Sequence, residues 1–172
     1  MIPRRLRHCA TIFFALFHAL ATPAFALPAS AGKVVLTITG KIAAKNSANT
    51  ATFDLAMLEK LPQQTFTTKT PWSVQPVKFT GPLLRDVLAQ VKANAAAVNL
   101  VATAGNDYKA SIPYGDALAH DMIIAHRMDD RAIPSRTHGP LFIIYPFDSK
   151  PALQNETYYN RSVWQVKALR VE

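Results

Sequence analysis

Histidine is the side chain best suited to ligate a metal or move a proton near neutral pH, and the sequence carries five. His8 and His18 fall in an N-terminal apolar stretch. His120 and His126 lie on either side of an expected helix-to-strand junction, so no spacing fixes them on one face. His126, inside an apolar run, suits a half-buried, hydrogen-bonded role better than a metal site. A serine hydrolase would need its nucleophile on a sharp turn such as Gly-x-Ser-x-Gly, which is absent. Ser135 near His138 reflects loop composition. The six glycines are not clustered, so no phosphate-cradling loop is present. The one cysteine is Cys9, which leaves residues 27–172 without a disulfide, a thiolate ligand or a thiol nucleophile. Two stretches keep chemical content. Thr67 to Val74 puts Trp72 in a loop between an expected strand and an expected helix. Tyr158-Tyr159-Asn160-Arg161 gathers aromatic, amide and guanidinium groups into a possible recognition surface. Trp72 and Trp164 suit packing in the core or at its rim.

The elements that must position these groups follow from periodicity. Lys33 to Gly40 alternates and is β-branched, which predicts a strand ending at a glycine turn. Ala43 to Thr50 is a small, polar loop. Ala51 to Phe53 predicts a short strand, with Asp54 capping a helix over Leu55 to Leu61 that Pro62 stops. Thr65 to Thr70 predicts a strand broken by Pro71-Trp72, and Val77 to Phe79 resumes it. Thr80 is placed as a helix cap with Pro82 in the first turn. Leu83, Leu84, Val87, Leu88 and Val91 form that helix's apolar stripe. Val98 to Ala104 and Tyr108 to Ile112 predict a hairpin about Gly105-Asn106-Asp107. A short helix over Gly115 to His120 and a strand over Met122 to Met128, turned at Asp129 to Arg131, come next. Leu141 to Pro146 suits a strand buried on both faces. Phe147 to Arg161 is expected as a long polar loop, and Ser162 to Val171 as a closing strand. This order predicts one strand-rich α+β domain with a few short helices.

Composition bounds the class. With 49% hydrophobic and 17% charged residues, the 172-residue chain is globular and long enough to bury a core. Residues 1–26 have another character: Arg4, Arg5 and Arg7 precede an apolar run from Ala10 to Leu20, then Ala24-Phe25-Ala26. That pattern predicts a secretory signal peptide cleaved after Ala26, followed by a flexible leader over 27–32 and a single domain over 33–172. The apolar run is too short to span a bilayer. Arg4-Arg5 lacks the flanking residues of a twin-arginine export signal. Residues 27–172 hold 16 basic and 11 acidic groups, a net charge of +5. These charges are scattered, with no basic stripe interleaved with aromatics, so nucleic acid is not an expected partner. The expected compartment is periplasmic or extracellular, with no membrane span after cleavage.

From residue 53 onward, several ordered pieces resemble the sulfite oxidase-type molybdopterin-binding domain. Phe53-Asp54-Leu55, Leu58 and Leu61-Pro62 resemble its helix and proline ahead of the cofactor loop. Trp72-Ser73 and Phe79-Thr80-Gly81-Pro82-Leu83-Leu84 are similar to its Trp-Ser loop and the helix start that follows. Gly105 to Tyr108 with Ile112-Pro113 resembles a hairpin of the family, and Ile124 to Met128 one of its strands. His138-Gly139-Pro140-Leu141 and Val163 to Lys167 resemble its closing segment. The resemblance implies that fold. In the family's enzymes it also implies molybdenum held by a pterin dithiolene and one cysteine ahead of the Trp-Ser pair. Here it places Thr68 at the cysteine position, beside Lys69 and Thr70, and Phe142 where an arginine would meet a phosphate, oxyanion or pterin group. A threonine hydroxyl, barely ionised near neutral pH, is a poor substitute for a soft thiolate.

The expected ligand pocket is therefore Thr68, Lys69, Trp72, His138, Tyr158 and Arg161. The expected function is an exported, non-catalytic module in an envelope redox or signalling system, binding a small molecule or an envelope protein partner without a cofactor. The alternative is a molybdopterin-dependent oxidoreductase or subunit that acts on oxyanions or sulfoxides with a non-cysteine ligand set. A purely structural interaction module is the third reading.

Overall fold

The computed structural model describes residues 27–172, and the expected signal peptide lies outside them. In chain order the elements are β1 (Val34–Gly40), β2 (Ala51–Asp54), α1 (Leu55–Glu59), β3 (Gln63–Thr68), β4 (Val77–Pro82) and α2 (Leu84–Gln90). The hairpin β5 (Asn99–Ala104) and β6 (Lys109–Pro113) leads to α3 (Tyr114–Ala119), then to β7 (Ile123–Ala125), β8 (Arg127–Met128) and β9 (Arg131–Ala132). β10 (Phe142–Ile144), α4 (Glu156–Arg161), β11 (Val163–Trp164) and β12 (Val166–Val171) complete the chain. The strand-rich α+β order expected from the sequence is what forms.

Three sheets share the core. The largest has the order β2-β1-β12-β5-β6, in which β1 and β12 are parallel and the other pairs antiparallel. The alternation in β1 turns Leu36 and Ile38 fully inward, on the sheet face that carries Leu169 of the adjoining β12 and, one strand further, Leu100 and Ala102 of β5. Gly40 ends β1 at φ +89°, and a Cβ there would run into the Val171 carbonyl, so only glycine fits the turn. The second sheet is β11-β10-β7, buried on every residue of β7 and β10; the third is β3-β4-β8-β9.

Two strands expected as continuous are each divided between sheets. In the run 122–128, the chain leaves β7 at His126, whose N–H donates to the Thr80 carbonyl at 3.0 Å, and enters the third sheet as β8. In the run 162–171, Gln165 adopts φ +51° and separates β11 in the second sheet from β12 in the first. The Gln165 N–H donates to the His138 carbonyl at 2.8 Å, and its carbonyl accepts from the Gly105 N–H at 2.8 Å. Its side-chain amide donates to the Ser135 and Thr137 carbonyls at 3.1 and 2.7 Å, which holds the switch in place.

Three further expectations are corrected. Residues 27–32 are not a free leader: Leu27 is buried, the Gly32 N–H donates to Asp54 Oδ2 at 2.7 Å, and Asn46 Nδ2 donates to the Pro28 carbonyl at 2.7 Å. Thr80 does not cap α2. β4 runs on to Pro82 because Gly81 lies against the Ile124–Ala125 backbone too closely for any Cβ, and the helix starts from Leu83 without a side-chain cap. Phe147 to Arg161 is not a long loop but two single 3-10 turns, Phe147–Ser149 and Pro151–Leu153, followed by α4, which Asn155 caps through the Thr157 N–H. Its polarity belongs to an exposed helical face, with Phe147 and Leu153 buried beneath.

Candidate functional site

The Trp72 loop is built by short-range hydroxyl bonds. Thr70 Oγ1 lies 2.8 Å from Ser73 Oγ and accepts from the Trp72 N–H at 3.3 Å, a local turn that offers the backbone an alternative to the strand. This turn lays Trp72 over an aromatic cluster. Its ring centroid is 5.6 Å from Trp164, 6.1 Å from Tyr159, 6.0 Å from Phe142 and 6.4 Å from Phe147, with Trp164 and Tyr159 set edge to face. Such aromatic pairs each contribute about 0.5–1.5 kcal/mol beyond area burial, so the cluster is a rigid platform.

One side of that platform opens into a cleft of about 300 Å³. Its aromatic wall is Trp72, Tyr108, Tyr159 and Trp164, and its polar rim is Asn106, Asn160 and Ser162. The β5–β6 turn supplies Asn106 and Tyr108, α4 supplies Tyr159 and Asn160, and β11 supplies Trp164 just before the Gln165 switch. The Tyr108 hydroxyl donates to the Asn160 carbonyl at 3.1 Å and ties the hairpin to the helix.

Of the six expected pocket residues, Trp72 alone lines this cleft. Thr68 is 1% exposed, and its hydroxyl oxygen accepts from the Asp148 N–H at 3.0 Å while its proton points to the Lys69 carbonyl at 3.3 Å. The Lys69 N–H returns a bond to Asp148 Oδ2 at 2.9 Å, so the pair clips the end of β3 to the first 3-10 turn. His138 stacks on Phe142 at 5.9 Å and meets Trp164 edge-on at 5.4 Å, but it lines a separate shallow hollow beside Met128 and Ile133.

Tyr158 and Arg161, three residues apart, share the face of α4 away from the cleft. One residue further on, about 100° around the helix, Tyr159 turns to Trp72. Arg161 Nη1 donates to Asp116 Oδ2 at 2.9 Å and the guanidinium lies over the Tyr158 ring at 5.4 Å. The buried Tyr145 hydroxyl donates to the same carboxylate oxygen at 2.8 Å, and burial, together with Asp116, pushes its phenol well above the ordinary range. This network anchors α4 to α3. Beside it, His120 Nδ1 is buried without a partner among the described residues.

Spacing does not reveal the cleft because its lining comes from three distant segments, at 72, 104–108 and 159–164. In the sequence, Asn106 and Tyr108 carry only a turn signal, and Tyr159 and Asn160 only the aromatic and amide character of a recognition surface. The helical register of 156–161 is the signal that separates Tyr159 from Tyr158 and Arg161.

Residues 27–172 contain no thiol, and the Thr68 hydroxyl is held within the backbone clip, outside the cleft lining. The cleft lining also carries no cation that could meet a phosphate. These residues do not fit a thiolate-held molybdenum pterin. Among the described residues, no cluster of three or more His, Asp or Glu is arranged to hold a metal ion, and no helix is long and apolar enough to cross a membrane.

Comparison with curated proteins gives no match. The fold is similar to that of the crystal structure of the sulfane dehydrogenase SoxCD from Paracoccus pantotrophus, with a TM-score of 0.59 at 18% identity. The match covers 79% of this chain but 37% of that one, so the protein spans well under half the length of its structural neighbour. At that identity the likeness concerns the fold alone. Residues 26–147, most of the chain, match the oxidoreductase molybdopterin-binding domain family, and the protein belongs to that family.

Proposed function

We propose that this protein is an exported, non-catalytic member of its family, a binding module whose small ligand enters the cleft between Trp72 and Trp164. The observation that carries this reading is Thr68. It stands at the position the resemblance gives to the metal-ligating cysteine, and its hydroxyl is engaged by the Asp148 N–H and Lys69 carbonyl. A soft, strongly donating sulfur is what would tune a molybdenum centre, and a buried neutral hydroxyl does not supply it. The positive n-region, apolar run and Ala24-Phe25-Ala26 support export to the periplasm or beyond. An envelope redox or signalling system is the setting this compartment suggests, with the ligand as the signal.

Metal and pterin analysis of protein purified from the native envelope tests the proposal. The expected result is a colourless protein with neither molybdenum nor pterin. Stoichiometric molybdenum with pterin, and turnover of an oxyanion or sulfoxide, would replace it with the oxidoreductase reading that the family name favours.

A further inference from the structure

We infer that the Trp72–Trp164 cleft takes a neutral, pyranose-type sugar unit. This rests on the ligand-binding reading above and names its ligand class. Charge is the first argument. No residue of the lining carries a charge at neutral pH, and the nearby Lys167–Asp107 pair is closed on itself at 2.7 Å. An anion would meet no counter-charge there, and a cation would find aromatic faces but no carboxylate in the lining.

Shape is the second argument. Trp72 meets Trp164 at 85° and Tyr159 at 75°, so the walls form a corner. Trp72 lies parallel to neither of these rings, so a flat heterocycle on its face is not sandwiched against Trp164 or Tyr159. A puckered ring with an apolar C–H face and a polar equator fits a corner of this kind. A volume of about 300 Å³ is at the small end for ligand sites, which sets the ligand at one ring-sized unit.

The third argument is the hydrogen-bonding inventory. Both indole N–H groups, the Tyr159 hydroxyl and the Asn160 side chain have no partner among the described residues. Asn106 uses Oδ1 for the Tyr108 N–H at 3.1 Å and keeps its Nδ2 donors. Amides and hydroxyls both donate and accept, as sugar hydroxyls do, so each ligand hydroxyl can be satisfied without a charge.

The chain's two tryptophans both line this cleft, so intrinsic tryptophan emission reports on it without a label. The experiment titrates the purified protein with glucose, maltose and N-acetylglucosamine, and in parallel with glucose 6-phosphate, adenosine and choline. Saturation-transfer NMR is the second readout. The expected result is saturable binding of at least one neutral sugar, with the phosphate ester binding no tighter than glucose. Asn160 is exposed and its side chain has no partner, so Asn160→Ala leaves the fold intact and weakens sugar affinity about 5- to 10-fold. No saturable binding of any sugar by both readouts, tighter binding of adenosine or choline, or an unchanged affinity in N160A would overturn the inference. Metal and pterin analysis of the same sample keeps the two readings apart. A metal-free protein that ignores sugars sinks only the sugar assignment, whereas molybdenum with pterin sinks the non-catalytic reading whatever the sugars do.

Discussion

Thr68 shows how one side chain changes what a loop can do. Its Oγ1 holds the Asp148 N–H, and the side chain is buried at the end of β3. Thr68→Val keeps the β-branched shape and removes only the acceptor. The Asp148 N–H then loses its acceptor, and the expected loss is about 1 kcal/mol by urea unfolding, with ligand binding unchanged. Thr68→Cys places a thiol at a buried position outside the cleft lining, so protein made in a molybdopterin-producing host is expected to remain metal-free by elemental analysis. His126 is a second single-residue lever. It is 4% exposed, its Nε2 lies 2.8 Å from Gln63 Oε1, and its Nδ1 faces Glu59 at 3.8 Å with Arg127 alongside. Burial lowers its pKa below the ordinary 6.5, outweighing the upward pull of Glu59. The unfolded chain therefore binds the proton more readily, and stability present above pH 6.5 is lost as pH falls through the folded value. Urea midpoints measured from pH 7.5 to 5 are expected to fall, and His126→Gln should flatten that slope.

At the scale of elements, Asp54 joins two of them with one carboxylate. Oδ1 accepts from the Met57 N–H at 2.9 Å to cap α1, and Oδ2 accepts from the Gly32 N–H at 2.7 Å to hold 27–32 against β2. Asp54→Asn keeps one acceptor and presents an NH₂ group to the other amide. The expected outcome is faster limited proteolysis near residues 28–32 with helical circular dichroism nearly unchanged; equal protection would refute it. The cap was legible because Asp before an apolar-periodic run is a local signal. So were β1 and the buried stripe of α2. What escaped was decided by distant contacts. Gly81 pressed against the Ile124–Ala125 backbone keeps β4 extended past Thr80, and the bonds around Gln165 divide the last strand between sheets. α4 was hidden because a mostly exposed, polar helix has little apolar periodicity, and its anchors on Asp116 and Trp72 are remote in sequence. The site inherits this pattern: Trp72 was visible as a loop aromatic, while its partners reach it only through the fold.

The whole molecule raises a question about where the domain ends. The family match stops at residue 147, yet β12, at 166–171, lies between β1 and β5 in the middle of the five-stranded sheet. It pairs with β1 from Thr37↔Ala168 to Gly40↔Val171 and with β5 from Val166↔Ala104 to Val171↔Leu100. Without it, β1–β2 and β5–β6 become two separate hairpins with facing unpaired edges, and a lone hairpin is at best marginal in water. Val166, Leu169 and Val171, all buried, would leave the core with it, exposing Leu36, Ile38, Leu100 and Ala102. Burying a Val or Leu side chain contributes about 1.5–3 kcal/mol, so three such residues match most of the net stability of an ordinary domain. The same truncation removes Tyr159, Asn160 and Trp164, and the cleft with them. A fragment of residues 26–147 is therefore expected to lack a cooperative unfolding transition and dispersed amide NMR signals, although it contains the whole family-matched stretch. Adding a peptide of residues 148–172 in trans should restore both, because the missing strand enters between two edges already matched to it in register. Cooperative folding of the fragment alone would mean that the five-stranded sheet is not the unit that holds the molecule together.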